Sequence, residues 1–254
     1  MELDFLALDP SQRYKLLASL VVPRPIALIS TLGRNGVLNA APFSFFNALG
    51  EDPPIVIFAA DARASGGAKD TMRNVLETRE YVVNLVDEAI APQMHGCAVD
   101  TPPETSEFDL VGFTPVPSKA VRPPRIAQAP VCFECRLHTH LDFNTRHLCI
   151  GEVVWLHARG GVLDPHTLRR LPDAFHPVGR LYATRYCSTR EEFELDNGAY
   201  AEKANAQSAI RKFRLPPPAA LRCGERRPAA RACAVPDTET AWTAPPTHRR
   251  CAPP

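Results

Sequence analysis

Two periods alternate along the chain. Residues 10–20, "PSQRYKLLASL", follow Asp9 with proline at the first helical position, the arrangement of a short capped helix. Strand-like runs follow at about 25–32 and 37–47, with "GRNG" between them as a hairpin-type turn. A third apolar run, "IVIFAA", comes after Pro53-Pro54. The period then changes: in "AKDTMRNVLETRE", Met72, Val75 and Leu76 stand at helical spacing between polar residues. "YVVNLVD" returns to a strand, "MHGCAV" reads as a helical excursion, and a long proline-rich connection runs to about residue 130. Two strong strands are expected at 131–141 and 147–157, ahead of "HPVGRLYATRY", with a last helix over much of 190–213. Many short antiparallel strands with a few inserted helices predict a mainly β chain, a β-barrel decorated with helices and not a doubly wound sheet.

Composition changes this picture at one place. From Pro216 the 39 residues to the end hold nine prolines and nine alanines and almost no branched aliphatics. Such a segment cannot bury enough apolar surface to offset its ordering entropy. The chain is therefore expected to divide into a folded body, 1–215, and a disordered tail, 216–254, which is either natural or a frameshifted translation of GC-rich DNA.

Net charge is +1 over 254 residues, which gives no reason to expect nucleic acid or a membrane surface as partner. Met1 is followed by "ELDFLALDP", which lacks the basic and apolar regions of a signal peptide, and no apolar run approaches a membrane span. A cytoplasmic location is the expectation. The eight cysteines then read as buried free thiols rather than a disulfide framework. Cys132 and Cys135 form a CxxC near His138 and His140, but three residues apart on a strand they point to opposite faces, so no metal site is expected.

Candidate chemistry lies elsewhere. "NAAPFSFFN" (39–47) is strand-like yet carries Pro42, which cannot donate to a ladder. Either it is an edge strand with a bulge, or its freed backbone, with Asn39 and Ser44, meets the polar edge of a flat ring such as a flavin's pyrimidine portion. "KDT" (69–71) opens an amphipathic helix that includes Asn74. Lys69 and Thr71 there suit a phosphate, or Asp70 or Thr71 simply caps the helix. The dinucleotide fingerprint GxGxxG is absent, and "SGGAKDT" fails the spacing of a nucleotide-binding phosphate loop.

Taken together and in order, "RPIALISTLGRNGVLNAAPFSFFNALGEDPPIVIFA", "KDTMRNVLETREYVVNLV", "RHLCIGEVVWLH" and "HPVGRLYATRY" resemble the flavin reductase-like family, the FMN-binding split barrels that include reductase components of two-component monooxygenases. The resemblance covers roughly residues 15–195. It implies a Greek-key split β-barrel, bound FMN, and a homodimer whose interface helps to build the flavin site. Carried over by position, Asn39, Ala40, Ala41, Pro42, Phe43, Ser44 and Phe45 line the isoalloxazine ring, largely by backbone. Ser30 and Thr31 face the ribityl chain or phosphate, and Lys69, Thr71 and Asn74 hold the phosphate end. His147 matches a histidine near the reduced-nicotinamide site, and Gly179 and Arg180 match a late segment that closes over the cofactor. Where the family more often has glycines after that segment, this chain has Tyr182 and Ala183.

The function so implied is an NAD(P)H-dependent FMN reductase, in which NADH or NADPH gives hydride to the flavin and a monooxygenase partner uses the product. An FMN-binding electron carrier and a flavoprotein oxygenase remain alternatives within the same resemblance. Hydride transfer between stacked rings needs proximity above all, so no catalytic dyad or triad is expected, and His147 is the one side chain given a catalytic role.

Overall fold

Asp9 begins the first helix as its sequence predicts. Its carboxylate accepts the Gln12 amide at 2.9 Å while the Gln12 side chain accepts the Asp9 amide at 3.1 Å, closing a capping box around Pro10. The helix, α1 (Pro10–Leu20), buries only Ala18 and leaves Tyr14, Leu17 and Leu20 exposed. The computed structural model describes residues 1–62, 67–102, 104–198 and 200.

Strands β1 (Ala27–Leu32) and β2 (Leu38–Phe43) form the hairpin expected across "GRNG", where Gly36 takes a φ of +82° that a side chain would resist. The single strand expected over 37–47 is in fact two. It breaks at Ser44 and Phe45 and resumes as β3 (Phe46–Glu51), which pairs with β4 (Pro54–Asp61). After α2 (Asp70–Thr78) come β5 (Glu80–Leu85), α3 (Ala91–Gly96) and α4 (Glu107–Val111). Two short strands, β6 (Pro115–Val116) and β7 (Arg125–Ile126), pair within the proline-rich connection. The long strands β8 (Val131–Asp142) and β9 (Arg146–Ala158) follow, and then a small hairpin of β10 (Val178–Arg180) and β11 (Tyr186–Ser188).

Seven strands form one antiparallel sheet in the order β2-β1-β5-β8-β9-β4-β3. Its two edges, β2 and β3, are consecutive in the chain and separated only by Ser44 and Phe45. To join them the sheet must curl on itself, and the Phe45 carbonyl accepts the Ala59 amide at 2.8 Å just beyond the β3–β4 ladder. The result is a barrel left split along β2. Mainly β architecture with few helices is thus what the sequence pattern led one to expect.

Strands β1 and β5 are buried without alternation, because both of their faces are covered. Leu28 and Val82 pack outward with Met94, Phe108 and Ile126 under α3, α4 and the proline-rich connection. Ile29, Tyr81 and Val83 pack into the barrel with Phe58, Met72, Val75 and Cys149. Cys132 belongs to the first cluster and Cys135 to the second, so the two thiols of the CxxC do lie on opposite faces. All five described cysteines are free.

Buried polar side chains staple the long connection to the barrel. Asn84 donates to the Leu28 carbonyl and to Ser30 Oγ, each at 3.0 Å, and accepts the Ile126 amide at 2.9 Å. Ser30 in turn donates to the Pro124 carbonyl at 2.7 Å. Glu134 accepts the amides of Lys119 and Ala120 at 2.7 and 2.5 Å, with His157 Nε2 at 2.5 Å. Burial alone would push the Glu134 carboxyl up, but those two amides and His157 hold it below the usual carboxylate range.

Beyond β11 residues 190–197 are not helical, Gly198 and Tyr200 are, and 201–213, most of the span where a last helix is expected, lie outside the described residues. The tail expected to be disordered, 216–254, also lies outside them. Among the described residues no helix is long and apolar enough to cross a membrane.

Candidate functional site

The proline in β2 is explained by where its nitrogen points. Strand β2 has β1 on one side and no strand on the other. The Ala40 amide donates to Glu107 Oε2 at 3.1 Å, away from β1, and by the two-residue period of a strand the Pro42 nitrogen faces the same open side. Proline there removes no ladder bond. A trough of about 720 Å³ runs along this open edge, past Asn39, Ala41, Pro42 and Phe43 to Lys69 and Thr71. Its far wall is residues 97–101 with Glu107, which is itself fixed by the Thr101 hydroxyl at 2.8 Å.

At the α2 end, four polar side chains the sequence singled out are brought together. Asn39 Nδ2 donates to Thr71 Oγ1 at 2.9 Å and to Thr31 Oγ1 at 3.2 Å, and Asn74 Nδ2 donates to Thr31 Oγ1 at 3.0 Å. All four are buried, and they tie the hairpin to the helix. Thr71 accepts in this cluster and keeps its own proton for a further acceptor on the trough side. The N-cap of α2 is Lys69, which is exposed, and no side chain caps the helix. Neither Asp70 nor Thr71 plays the capping part that the sequence left open. Asp70 instead pairs with Arg73 at 2.6 Å, which offsets its charge at the mouth of the trough.

A thiol also lines the trough. Burial, with the Glu107 carboxylate adding to it, pushes the Cys97 pKa up to about 12, so at neutral pH it is a neutral wall and no nucleophile.

Residues 19–186 match the flavin reductase-like domain family. The chain belongs to that family. Among solved structures it is similar to 2-nitrobenzoate 2-nitroreductase NbaA of Pseudomonas fluorescens, with 39% identity, 77% of this chain and 95% of that one covered, and a TM-score of 0.71. Similarity to nitrilotriacetate monooxygenase component B of Bacillus cereus is 30% in identity, over 77% of this chain and 98% of that one, with a TM-score of 0.72. A split-barrel domain from Shewanella frigidimarina shares the fold at 23% identity and a TM-score of 0.64, over 76% of this chain and 95% of that one. The barrel split along β2 is therefore the flavin reductase-like split barrel.

Other residues that the family resemblance singled out lie apart from the trough. Ser30 is fully buried on the opposite face of β1 from Thr31, committed to Asn84 and Pro124. Ser44 and Phe45 form the bend between the sheet edges, and with Arg180 they line a second hollow that adjoins the trough at Pro42 and Phe43. His147 enters neither hollow. It shares the inward face of β9 with Cys149, pairs with Ala60 of β4, and has Nδ1 3.6 Å from Asp142 Oδ2. Its neighbour Arg146 faces the second hollow instead. His147→Ala should therefore lower stability by about 1 kcal/mol through lost packing, since Nδ1 makes no hydrogen bond, and leave flavin affinity and the rate of reduction by NADH unchanged, which thermal melts and stopped-flow absorbance will check. A reduction rate that fell at unchanged stability would restore His147 to the site.

Sequence reasoning missed Tyr14, Arg24 and Arg146, and the wall at 97–101. A signal existed for one of them. The flavin reductase-like segment "RHLCIGEV" contains Arg146 beside His147, and the parity of a strand decides which of two neighbours faces a cavity.

Proposed function

We propose that this chain is an FMN-binding flavin reductase. The observation that carries the reading is the open backbone edge of β2 at Pro42, set beside a trough that ends at an uncapped helix N-terminus. Along that edge Ala41 and Pro42 present small side chains, and the carbonyls of Ala40 and Pro42, which point away from β1, are turned to the polar rim of the isoalloxazine ring. Lys69 supplies a positive charge, Thr71 a hydroxyl donor and the N-terminus of α2 the positive end of its dipole to the phosphate. Asn39, which also lines the trough, fixes the Thr71 hydroxyl, and behind it Thr31 accepts from both Asn39 and Asn74. Bound FMN would supply the redox chemistry, accepting hydride from NADH or NADPH and handing reducing equivalents on. The chain itself has to orient and shield, and the protonated Cys97 thiol suits a wall that exchanges no proton with the ring.

Membership of the flavin reductase-like family and similarity to a monooxygenase component B support a reductase that serves a partner oxygenase. A homodimer is part of the same proposal, supported by the exposed Leu17 and Leu20 of α1 with Val21 and Val22 just beyond it, an uncovered apolar patch. A cytoplasmic location completes it.

The test is direct. Purified protein mixed with FMN should retain flavin absorption through gel filtration, elute as a dimer, and oxidise NADH or NADPH when free FMN is supplied. Absence of flavin binding would sink the proposal. Flavin binding without nicotinamide oxidation would assign the chain to the electron carriers instead.

A further inference from the structure

The second hollow, of about 500 Å³, holds more positive charge than its surroundings neutralise. Lys15, Arg24, Arg146 and Arg180 line it, against the single carboxylate of Asp61, which is already paired with Arg146. Arg24 and Arg180 have no carboxylate partner among the described residues. They are nevertheless clamped side by side. The Arg24 amide donates to the Arg180 carbonyl at 2.9 Å and the Arg180 amide to the Arg24 carbonyl at 2.8 Å. Burial lowers the Arg24 pKa from its ordinary value, and the charge of Arg180 adds to the lowering while Tyr14 opposes it.

Both guanidiniums are also oriented. Arg24 donates through Nη1 to the carbonyls of Ala18 and Val21 and through Nε to Ser44 Oγ at 3.4 Å. Arg180 donates through Nη1 to the Tyr186 hydroxyl at 2.7 Å and lies over that ring at 4.9 Å from its centroid. Each keeps an Nη2 group without a partner among the described residues. The Nη2 group of Arg24 and the Nε–Nη2 fork of Arg180 are left to meet a carboxylate. Beside them the hollow is aromatic: Phe45 carries the Arg146 guanidinium on its face at 4.4 Å, Tyr14 stands edge-on to it at 6.4 Å, and Tyr182 is exposed in the wall.

We propose that this hollow binds a small planar aromatic carboxylate, with the carboxylate on Arg24 and Arg180 and the ring against Phe45, Tyr14 and Tyr182. A diphosphate is the other anion a guanidinium pair could take. It would gain nothing from the three rings, and its extra charge would meet Asp61. Because the hollow and the trough meet at Pro42 and Phe43, the ring of such an acid would lie next to the flavin. That adjacency rests on the flavin reading of β2, whereas the binding itself does not.

Calorimetric titration of benzoate into the protein, prepared both flavin-free and FMN-loaded, tests the proposal. Benzoate should bind both forms and perturb the flavin absorption of the loaded one. Neutral benzamide and non-planar cyclohexanecarboxylate should each bind at least tenfold more weakly. Arg180→Gln should weaken benzoate about tenfold, and Arg180→Lys, which keeps the charge and loses the fork, by less. Benzoate binding to a protein that takes up no FMN would uphold the hollow as an acid site while removing the flavin reading. Failure of benzoate to bind, equal affinity for benzoate and benzamide, displacement of benzoate by inorganic pyrophosphate at lower concentration, or unchanged affinity in a folded Arg180→Gln protein would each overturn the proposal.

Discussion

Replacing Gly151 with alanine should destabilise the protein by about 3 kcal/mol, the upper part of the range for overpacking a closed core. A methyl group added at Gly151 would lie 1.9 Å from the Tyr81 hydroxyl and 2.8 Å from the carbon that bears it. Neither partner can step aside. Tyr81 is fully buried inside the barrel with its ring 5.4 Å from that of Phe58, and its hydroxyl sits among the thiols of Cys135 and Cys149. Burial first, and those thiols with it, raise the tyrosine pKa well above its usual value, so the hydroxyl stays neutral. Gly151 is held on both sides, by Val56 of β4 and Leu137 of β8. Thermal melting should show the loss as a fall of roughly 10 °C, at about 2–4 °C per kcal/mol for a chain of this size. Adding Tyr81→Phe should recover part of it, because the nearest clash is then removed and the second remains. A Gly151→Ala protein that melted like the parent would mean that Tyr81 does not fill the barrel at this level.

The reach and the limits of the sequence follow from the same geometry. Element types were legible wherever a period ran long enough, as in the helix around Met72 and Val75 and the paired strands on either side of residues 143–145. Strand β3 was not. "NAAPFSFFNALG" scatters Asn39, Ser44 and Asn47 among apolar residues with no turn signal at 44–45, so nothing in its pattern marks the two residues at which the chain leaves one sheet edge for the other. The wall at 97–101 was hidden for a different reason. It lies just beyond α3 and is tied to the β2 edge through Glu107, which accepts from the Thr101 hydroxyl and from the Ala40 amide, a pairing that sequence pattern cannot make across so many residues. Ser30 shows the cost of carrying a role over by position. Beside Thr31 it looked like a cofactor ligand, yet alternation on β1 sends it to the other face. The polar cluster of Thr31, Asn39, Thr71 and Asn74 was named residue by residue from the sequence, but not its internal bonding, in which Asn39 holds Thr71 and Thr31 accepts from Asn39 and Asn74 behind the trough.

Charge reversal at Lys69 should weaken FMN binding at least tenfold, equivalent to about 1.4 kcal/mol or more. Lys69 is exposed and forms the N-cap of α2, so Lys69→Glu breaks no buried contact. A carboxylate at a helix N-terminus is favourable to the helix, and the melting temperature of the flavin-free variant should therefore hold or rise slightly. The same carboxylate would repel a phosphate placed at the N-terminus of α2. Asp70 does not blur the comparison, because Arg73 already offsets it at 2.6 Å. Riboflavin, which has the ring and no phosphate, should bind the parent and the variant about equally, since the β2 edge is untouched. Raising the salt concentration should narrow the gap between parent and variant for FMN, as screening weakens an exposed charge interaction. Fluorescence titration of both ligands decides the point. Equal losses for FMN and riboflavin would place Lys69 away from the phosphate, and no loss for either would move the phosphate end off α2 altogether, leaving only the β2 edge to hold the ring.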